Sequence, residues 1–171
     1  FVPISSTLMY ILVVAAEPGN PRFEGPQMAA EMRARLEGMT DLAAEMTPLI
    51  IDPDKVVYRP METLLLPAPW MKGNVILIGD AAHSMTPHLG QGAAMAIEDA
   101  VLLGELMGRD DPVEGLLDEF MQRRFDRVEM VCNTSRQIGR WETDAWAGQS
   151  DPELIPGALV HHAMQSLMSP Y

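Results

Sequence analysis

A short apolar run from Asn74 to Gly79, with the sequence NVILIG, is followed at once by Asp80 and then by a loop that contains proline and glycine. Short runs of this kind are typical of strands covered on both faces, as in a parallel sheet. After the loop, the spacing predicts a helix from Gly92 to Met107. The pattern therefore predicts an α/β fold, in which ligands bind beyond the carboxyl ends of the strands.

The loop between this strand and this helix offers two kinds of binding group. Asp80 follows the strand directly, where its carboxylate can accept hydrogen bonds from hydroxyl groups. Gly90-Gln91-Gly92 opens the helix, whose first N–H groups have no partner inside the helix and attract negative charge. A bare Gly-Asp pair is more often a simple strand-to-turn junction, so the combination, rather than either end alone, indicates a binding site.

The whole motif reads Trp70-x-x-Gly73-Asn-Val-x-Leu-Ile-Gly79-Asp-Ala-Ala-His83-x-x-x-Pro87-x-x-Gly90-Gln-Gly92. It resembles the second flavin-binding motif of the class A FAD-dependent aromatic monooxygenases, the family of para-hydroxybenzoate hydroxylase and salicylate hydroxylase. Further along, Phe120-x-x-Arg123-Arg124-x-x-Arg127 is similar to the long closing helix of that family. The resemblance implies the carboxy-terminal portion of an FAD/NAD(P)-binding Rossmann-like flavoprotein, with part of a β-sheet substrate domain and closing helices.

The resemblance also implies a role for each residue of the loop. Asp80 would accept hydrogen bonds from the ribityl hydroxyls of FAD, and the N–H groups at the start of the helix would face the pyrimidine end of the flavin. Pro87 would lie beside the isoalloxazine ring with its carbonyl toward the substrate pocket, and His88 would point toward substrate or flavin. The resemblance assigns no certain catalytic residue in this chain. Ala94 stands where many relatives have Asn, so it offers only its backbone. The expected cofactor contacts are Gly79, Asp80, Pro87, Gly90, Gln91, Gly92, Ala93 and Ala94, and the expected substrate contacts are Pro87 and His88.

Three segments are expected along the chain. Residues 1–66 resemble part of the substrate-binding domain, residues 67–110 hold the second flavin motif as strand, loop and helix, and residues 111–171 form carboxy-terminal helices. Within them we expect a buried strand at Leu8–Ala16, helices at Pro26–Glu37 and after Thr40, strands at Lys55–Arg59 and Glu62–Leu66, a long helix capped by Asp111 and reaching Trp141, and a last helix in Pro152–Tyr171.

The first motif of the family, a strand followed by Gly-x-Gly-x-x-Gly and a helix, does not occur in this sequence. Gly90-x-Gly92-x-x-Met95 lacks the third glycine and does not directly follow a strand. The chain also begins with Phe1, in what reads as a strand already under way. We therefore expect the chain to be roughly the carboxy-terminal half of such an enzyme, holding the flavin-ring end of the site.

Composition excludes several classes of partner. The net charge of −12 disfavours binding to nucleic acid or to an anionic membrane surface, and no apolar run has the length of a membrane span. The one cysteine, Cys132, cannot form an internal disulfide, which favours a reducing compartment such as the cytoplasm. Trp141 and Trp146 are expected to pack the last helices or a subunit contact, so a homodimer is among the expected assemblies.

The predicted function is that of an FAD-dependent monooxygenase that uses NAD(P)H and O2 to oxygenate a small aromatic substrate. An FAD-dependent halogenase, epoxidase or reductase of the same superfamily, and a non-catalytic fragment, are the alternatives. A metal-dependent hydrolase with Asp80, His83 and His88 as ligands is disfavoured, because Pro87 intervenes and the spacing does not place the three residues on one helical face. His83 is instead expected to be a hydrogen-bonded loop histidine.

Overall fold

The computed structural model describes residues 1–151, 153 and 156–168, and the chain divides into two units, Phe1–Pro60 and Met61–Tyr171. In the first unit, strand β1 (Val2–Pro3) pairs antiparallel with β2 (Met9–Tyr10). Two helices follow, α1 (Met28–Arg35) and α2 (Asp41–Met46). Short 3-10 turns lie at Gly25–Gln27, Thr47–Leu49 and Pro53–Lys55.

The two helices of the first unit are short because the sequence stops both of them. Gly38, just after α1, has a φ of +81°, a left-handed conformation that favours glycine. Pro48 follows α2, as predicted. Thr40 precedes α2, but its hydroxyl donates to the carboxylate of Asp41 instead of capping a helix N–H.

Arg35 is the polar anchor of the first unit. Its guanidinium forms ion pairs with Glu17 and Glu31 and lies 4.9 Å from the centroid of the Phe23 ring. Phe23 in turn meets Tyr58 edge to face, with 5.0 Å between the ring centroids. The hydrogen bond from Arg35 lowers the pKa of Glu17 below its ordinary value. The side chains of Tyr58 and Arg35 therefore join α1 to the segments on either side of it.

The predicted strands of the first 66 residues are wrong in large part. Within Leu8–Ala16 only Met9–Tyr10 is paired, and both side chains are exposed. Lys55–Arg59 and Glu62–Leu66 are not strands, although Leu64 and Leu66 donate backbone hydrogen bonds of 2.8 and 2.9 Å to the carbonyls of Ser84 and Ala82. An apolar run becomes a buried strand only where neighbouring strands and a covering layer pack on it, and within the described residues these runs are not packed in that way.

The second unit is mainly helical. Strands β3 (Met71–Lys72) and β4 (Val75–Ile76) form a small antiparallel hairpin. They are followed by α3 (Asp80–His83), a 3-10 turn at Pro87–Leu89, and the helices α4 (Gly92–Met107), α5 (Val113–Trp146) and α6 (Pro156–Leu167). The apolar core of this unit contains Trp70, Ala82, Leu89, Met95, Leu102, Leu106, Leu116, Phe120, Met121, Val128, Val131, Cys132, Ile138 and Ala163.

The helix predictions for this unit are largely confirmed. Helix α4 has the predicted bounds, and α5 extends beyond Trp141 to Trp146. The N-cap of α5 is Pro112 rather than Asp111, and it makes no side-chain cap bond, so the predicted cap is wrong by one residue. Helix α6 lies inside the predicted tail, of which residues 152, 154, 155 and 169–171 lie outside the described residues.

The run Asn74–Gly79 is not a strand covered on both faces. Only Val75 and Ile76 pair, with the hairpin partner β3, and Val75 is 66% exposed. Its strand partner is two residues long, although the N–H groups of Leu77 and Gly79 donate to the Trp70 carbonyl and to Asp99, and the side chains of Val75 and Leu77 are exposed. Mixed helix and small sheet is therefore the content of this chain, and the parallel sheet that the run predicted is not formed within the described residues.

Candidate functional site

The candidate site begins at Gly79, where the hairpin gives way to α3. Gly79 has φ of +58° and ψ of −143°, which a residue with a side chain rarely adopts. A Cβ atom at this position would lie 3.1 Å from the Cβ of Ala96 on α4. Glycine is thus required both by the backbone conformation and by the close approach of α4, and the turn it makes places Asp80 at the start of α3.

A cavity of about 400 Å³ lies between the start of α3, the following loop and the first turn of α4. Five of the expected cofactor residues line it, together with three residues outside that expected set. The lining residues are Asp80, Met85, Thr86, Pro87, Gly90, Gly92, Ala93 and Ala96. The structure therefore brings the exposed carboxylate of Asp80 and the start of α4 to one concave surface.

The start of α4 carries backbone donors that the helix itself does not use. The N-cap residue, Gln91, makes no side-chain bond to the helix, and its carbonyl accepts the hydrogen bond of Met95. The N–H groups of Gly92 and Ala93 belong to the first turn, which has no intrahelical acceptors. Because both residues line the cavity, the positive end of the α4 dipole faces it.

Three of the expected cofactor residues are placed elsewhere. Gly79 is buried and donates its N–H to Asp99, whereas Gln91 and Ala94 lie beside the cavity-lining residues without lining the cavity themselves. His88, the expected substrate neighbour, is also absent from the lining. Its ring is turned to α5, where Glu142 and Gly139 meet it.

Asp99 of α4 is the centre of a buried polar network beneath the loop. Its Oδ2 accepts hydrogen bonds from the N–H of Gly79 at 2.9 Å and from Nε2 of His83 at 2.7 Å. Its Oδ1 accepts from Nε of Arg124 on α5 at 2.8 Å. The side chains of Asp99 and Arg124 are 0% exposed and that of His83 is 1% exposed. The prediction of a hydrogen-bonded loop histidine at position 83 is confirmed, and its partner is now identified.

Glu98, the neighbour of Asp99, extends the network to the edge of the unit. It accepts hydrogen bonds from Arg124 and two from Arg127, at 2.8 and 2.9 Å. Arg127 also donates to the carbonyls of Ser166 and Leu167 at the end of α6. Arginine at a helix C-terminus satisfies carbonyls that the helix leaves free. The network therefore connects the loop, α4, α5 and α6.

Both carboxylates of the network are held in the charged state. Burial acts to raise the pKa of Asp99, but the hydrogen bonds from His83, Gly79 and Arg124 together lower it below its ordinary value. Burial likewise acts to raise the pKa of Glu98, and the hydrogen bonds of Arg127 and Arg124 lower it on balance. Buried charges are tolerated only when they are paired in this way.

The site fits the flavin that the sequence resemblance implies. A cavity of about 400 Å³ is within the usual range for small-molecule sites. Its lining joins small or flat residues, which allow a planar ring to lie close to the backbone, with one hydroxyl-binding carboxylate and one anion-favouring helix end. Among the residues that the structure describes, no group of three His, Cys, Asp or Glu side chains is placed to hold a metal ion.

Sequence reasoning missed the residues that hold the loop in place. Asp99 was inside the predicted helix Gly92–Met107, and Arg124 was inside the motif of the closing helix, but nothing linked the two. A signal was present for Arg124: it stands four residues after Phe120 and four before Val128, so it shares their face of α5. A charged residue in the middle of an apolar stripe indicates a buried partner on a neighbouring element.

Comparisons with known proteins identify the family of the chain. The sequence profile described as "FAD binding domain" matches residues 6–135. The chain is 37% identical to 2-heptyl-3-hydroxy-4(1H)-quinolone synthase of Pseudomonas aeruginosa over 99% of this chain and 46% of that protein. It is 47% identical to the FAD-dependent urate hydroxylase of Klebsiella oxytoca over 48% of this chain and 23% of that protein. The chain thus spans about half, or less, of the length of these curated relatives.

Solved structures show the same fold. Klebsiella pneumoniae HpxO, crystallised with FAD and uric acid, matches with a TM-score of 0.69 at 23% identity, over 88% of this chain and 40% of that one. PqsL of Pseudomonas aeruginosa, described as a probable FAD-dependent monooxygenase, matches with a TM-score of 0.52 at 26% identity, over 63% of this chain and 30% of that one. In the described part of the chain, no helix has both the length and the apolar character needed to cross a membrane.

Proposed function

The chain belongs to the FAD binding domain family, and we propose that the protein containing it is an FAD-dependent monooxygenase that oxygenates a small aromatic substrate with NAD(P)H and O2. The observation that carries the proposal is the cavity shared by the Asp80 carboxylate and the first N–H groups of α4. The urate hydroxylase among the relatives is named as FAD-dependent, which supports the same cofactor here.

Each end of the cavity has a part in holding FAD. Asp80 would accept hydrogen bonds from the ribityl hydroxyls of bound FAD, and the N–H groups of Gly92 and Ala93 would hold the pyrimidine end of the ring. The helix dipole of α4 favours negative charge there, by about 0.3–1 kcal/mol for an exposed site and up to about 2 for a partly buried one. FAD supplies the oxygen chemistry when bound, and the protein positions it and excludes water. Gly79 shapes the turn that carries Asp80, and Gln91 and Ala94 adjoin the residues that line the cavity.

The proposed substrate class is a planar aromatic or heteroaromatic ring. One relative is named for a quinolone product and another for urate, and an HpxO structure holds uric acid. Pro87 lines the cavity and is placed to border both ring and substrate. His88 remains a proposed neighbour of the substrate pocket, acting through Thr86, which lines the cavity next to it.

The isolated chain is proposed to be inactive by itself. The strand Val75–Ile76 is paired on one edge only, and Val75 and Leu77 are exposed, which favours the alternative of a non-catalytic fragment. A strand with an unpaired edge needs further strands beside it. The division into residues 1–66 for substrate, 67–110 for the flavin motif and 111–171 for closing helices is part of the same proposal, as are a homodimer and a cytoplasmic location.

The test uses the longer protein that contains this chain. Purified protein that is yellow and shows the visible absorbance of bound FAD supports the proposal, and Asp80→Ala is expected to release FAD more readily. Asp54→Ala removes an exposed carboxylate of the first unit, so it provides the matched control and is expected to retain FAD. Unchanged FAD affinity in the Asp80→Ala variant contradicts the role of Asp80, and a colourless protein that takes up no FAD contradicts the proposed function.

A further inference from the structure

Three side chains connect the cavity to the surface of α5. The Thr86 side-chain oxygen lies 2.8 Å from Nδ1 of His88, and Nε2 of His88 lies 3.1 Å from Oε2 of Glu142. Thr86 lines the cavity, and the side chain of Glu142 is 43% exposed. The His88 imidazole, 8% exposed, stands between them. The chain of hydrogen bonds is thus continuous from the concave surface to solvent.

The direction of the hydrogen bonds follows from the chemistry of the partners. A carboxylate can only accept, so Nε2–H of His88 donates to Glu142. The neutral imidazole then has a bare Nδ1, which accepts the hydroxyl proton of Thr86. The resting arrangement is therefore already aligned for a proton to move from Thr86 toward Glu142.

The ring is fixed in this position by α5. A Cβ atom at Gly139 would come within 2.7 Å of Cε1 of His88, so the absence of a side chain there lets the imidazole lie against the helix. Glu142 lies three residues further along α5, and its carboxylate contacts the imidazole ring. Each passage of a proton through the ring moves its N–H from one nitrogen to the other, so the tautomer must be reset before a second proton can pass in the same direction.

We propose that Thr86, His88 and Glu142 form a proton relay between the flavin cavity and solvent. The inference rests on the proposed function and deepens it, since it assigns the route by which that site exchanges protons with water. Neither His88 nor Glu142 needs to touch the substrate for this role, because both act through the Thr86 hydroxyl.

The transfers balance at each atom. In the outward direction a group in the cavity gives a proton to the Thr86 oxygen, and the Thr86 hydroxyl proton moves to Nδ1 of His88. The proton on Nε2 moves to the Glu142 carboxylate, which releases it to water. An inward passage begins from the other tautomer, with the ring proton on Nδ1. Glu142 then gives a proton taken from water to Nε2, Nδ1–H gives its proton to the Thr86 oxygen, and the Thr86 hydroxyl proton moves into the cavity, which leaves the resting tautomer. Oxygenation of a substrate S–H by NAD(P)H and O2 to S–OH, NAD(P)⁺ and H2O takes up one proton in each turnover, so the proposed enzyme requires the inward passage.

The first test does not depend on activity. Nuclear magnetic resonance of the full-length protein, labelled with nitrogen-15 in histidine, measures the exchange of the His88 ring N–H with water. Glu142→Gln keeps a hydrogen-bond acceptor but cannot take up the proton, so exchange is expected to slow by about tenfold. Asp144→Asn removes the same charge from an exposed position two residues along α5 and is expected to exchange as the unmodified protein does.

The second test measures turnover at equal FAD content. Glu142→Gln and Thr86→Val are expected to lower kcat for NAD(P)H oxidation by about a hundredfold with KM unchanged, the usual scale for a lost proton-transfer group. Thr86→Ser restores the hydroxyl and is expected to restore kcat, whereas a purely structural role of the threonine is not expected to distinguish hydroxyl from methyl in this way.

The outcomes separate the relay from the proposed function. Exchange in Glu142→Gln equal to that in Asp144→Asn overturns the relay, as does a Thr86→Val variant that turns over normally. Failure of the protein to bind FAD overturns the proposed function. The exchange rate of the His88 ring N–H can still be measured on the FAD-free protein, and it shows whether Glu142 takes part in proton transfer.

Discussion

Asp99 and Arg124 meet in the interior of the second unit, with Oδ1 of the one 2.8 Å from Nε of the other and both side chains fully buried. They come from α4 and α5, which pack against each other through apolar residues on both sides of the pair. The pair is also what holds the turn at Gly79, because the second oxygen of Asp99 binds the Gly79 N–H. The stability of the helices and the geometry of the cavity are consequently coupled at one carboxylate.

Removal of Arg124 is expected to be strongly destabilising. Arg124→Met leaves the buried charge of Asp99 with His83 as its remaining side-chain donor, a change that typically costs about 3–5 kcal/mol. Arg123 precedes Arg124 on α5 and forms a half-buried ion pair with Glu119. Arg123→Met removes that pair and is expected to cost about 1 kcal/mol or less. Urea unfolding of both variants measures the difference, and similar midpoints contradict the central place of the buried pair.

Acid is expected to destabilise the second unit through the same carboxylates. Folding lowers the pKa of Asp99 and of Glu98, so the unfolded chain binds more protons than the folded one as these groups titrate. Their stabilisation is present above the ordinary carboxylate pKa values of about 4 and is lost as the pH falls below them toward the folded-state values. Urea midpoints measured from pH 7 to pH 3 report the loss.

Replacing Asp99 by Asn supplies the control for this pH dependence. The variant keeps the shape of the side chain but removes its titration, so its urea midpoint is expected to fall less steeply between pH 5 and pH 3, while starting lower at pH 7. An equally steep profile in the variant assigns the acid sensitivity to other carboxylates.

Gly79→Ala tests the close approach of the loop to α4. Two costs combine here: a backbone conformation that is nearly restricted to glycine, worth about 1–3 kcal/mol for a residue with a side chain, and a Cβ only 3.1 Å from the Cβ of Ala96. Gly90→Ala has a milder backbone cost and no clash, since its φ of +65° and ψ of 22° lie in the left-handed helical region and no atom lies within 4 Å of the position that its Cβ would occupy. Thermal unfolding is expected to rank Gly79→Ala as the less stable of the two variants.

A second substitution separates the two costs at Gly79. Ala96→Gly removes the atom that the new methyl group would meet, so the double variant Gly79→Ala/Ala96→Gly is expected to recover the part of the loss that comes from the clash, after the cost of Ala96→Gly alone is subtracted. No recovery would mean that backbone conformation accounts for the whole effect.

Arg127→Gln is expected to loosen α6 without unfolding the rest of the unit. Arg127 joins Glu98 to the carbonyls of Ser166 and Leu167, and its removal leaves the end of α6 without these donors. Amide hydrogen exchange in α6 is expected to quicken, while exchange in α4 stays slow. Arg136→Gln, on the exposed contact with Asn133, is the control on the same helix. If the amides of α6 exchange at the same rate in both variants, Arg127 does not hold the end of α6.

The Cys132 thiol offers an independent measure of opening. Burial raises its pKa to about 11, so little thiolate is present at neutral pH and the sulfur is covered by the core. Thiol reagents at pH 8 are expected to react only at the rate at which α5 becomes accessible, and faster in Arg124→Met. A fast reaction in the unmodified folded protein contradicts the buried position.

Local sequence signals predicted α4 to its end residues and predicted the cavity around Asp80 and Gly92. Both depend on a stretch of about one strand, one loop and one helix, within which spacing fixes the geometry. The strands were not predictable in the same way. Met9–Tyr10 and Val75–Ile76 pair with two-residue segments nearby in the sequence, whereas the longer strands that were predicted need further partners that the described residues do not provide. The burial of Arg124 was also missed, since its partner Asp99 is 25 residues away on another helix.

The double attachment of Asp99 to Gly79 and His83 has a consequence for affinity. Because the first turn of the loop is already ordered before a ligand arrives, little conformational freedom remains to be lost when one enters. Calorimetry on ligands of differing length is then expected to show that a longer flexible tail, rather than the protein, bears most of the unfavourable binding entropy.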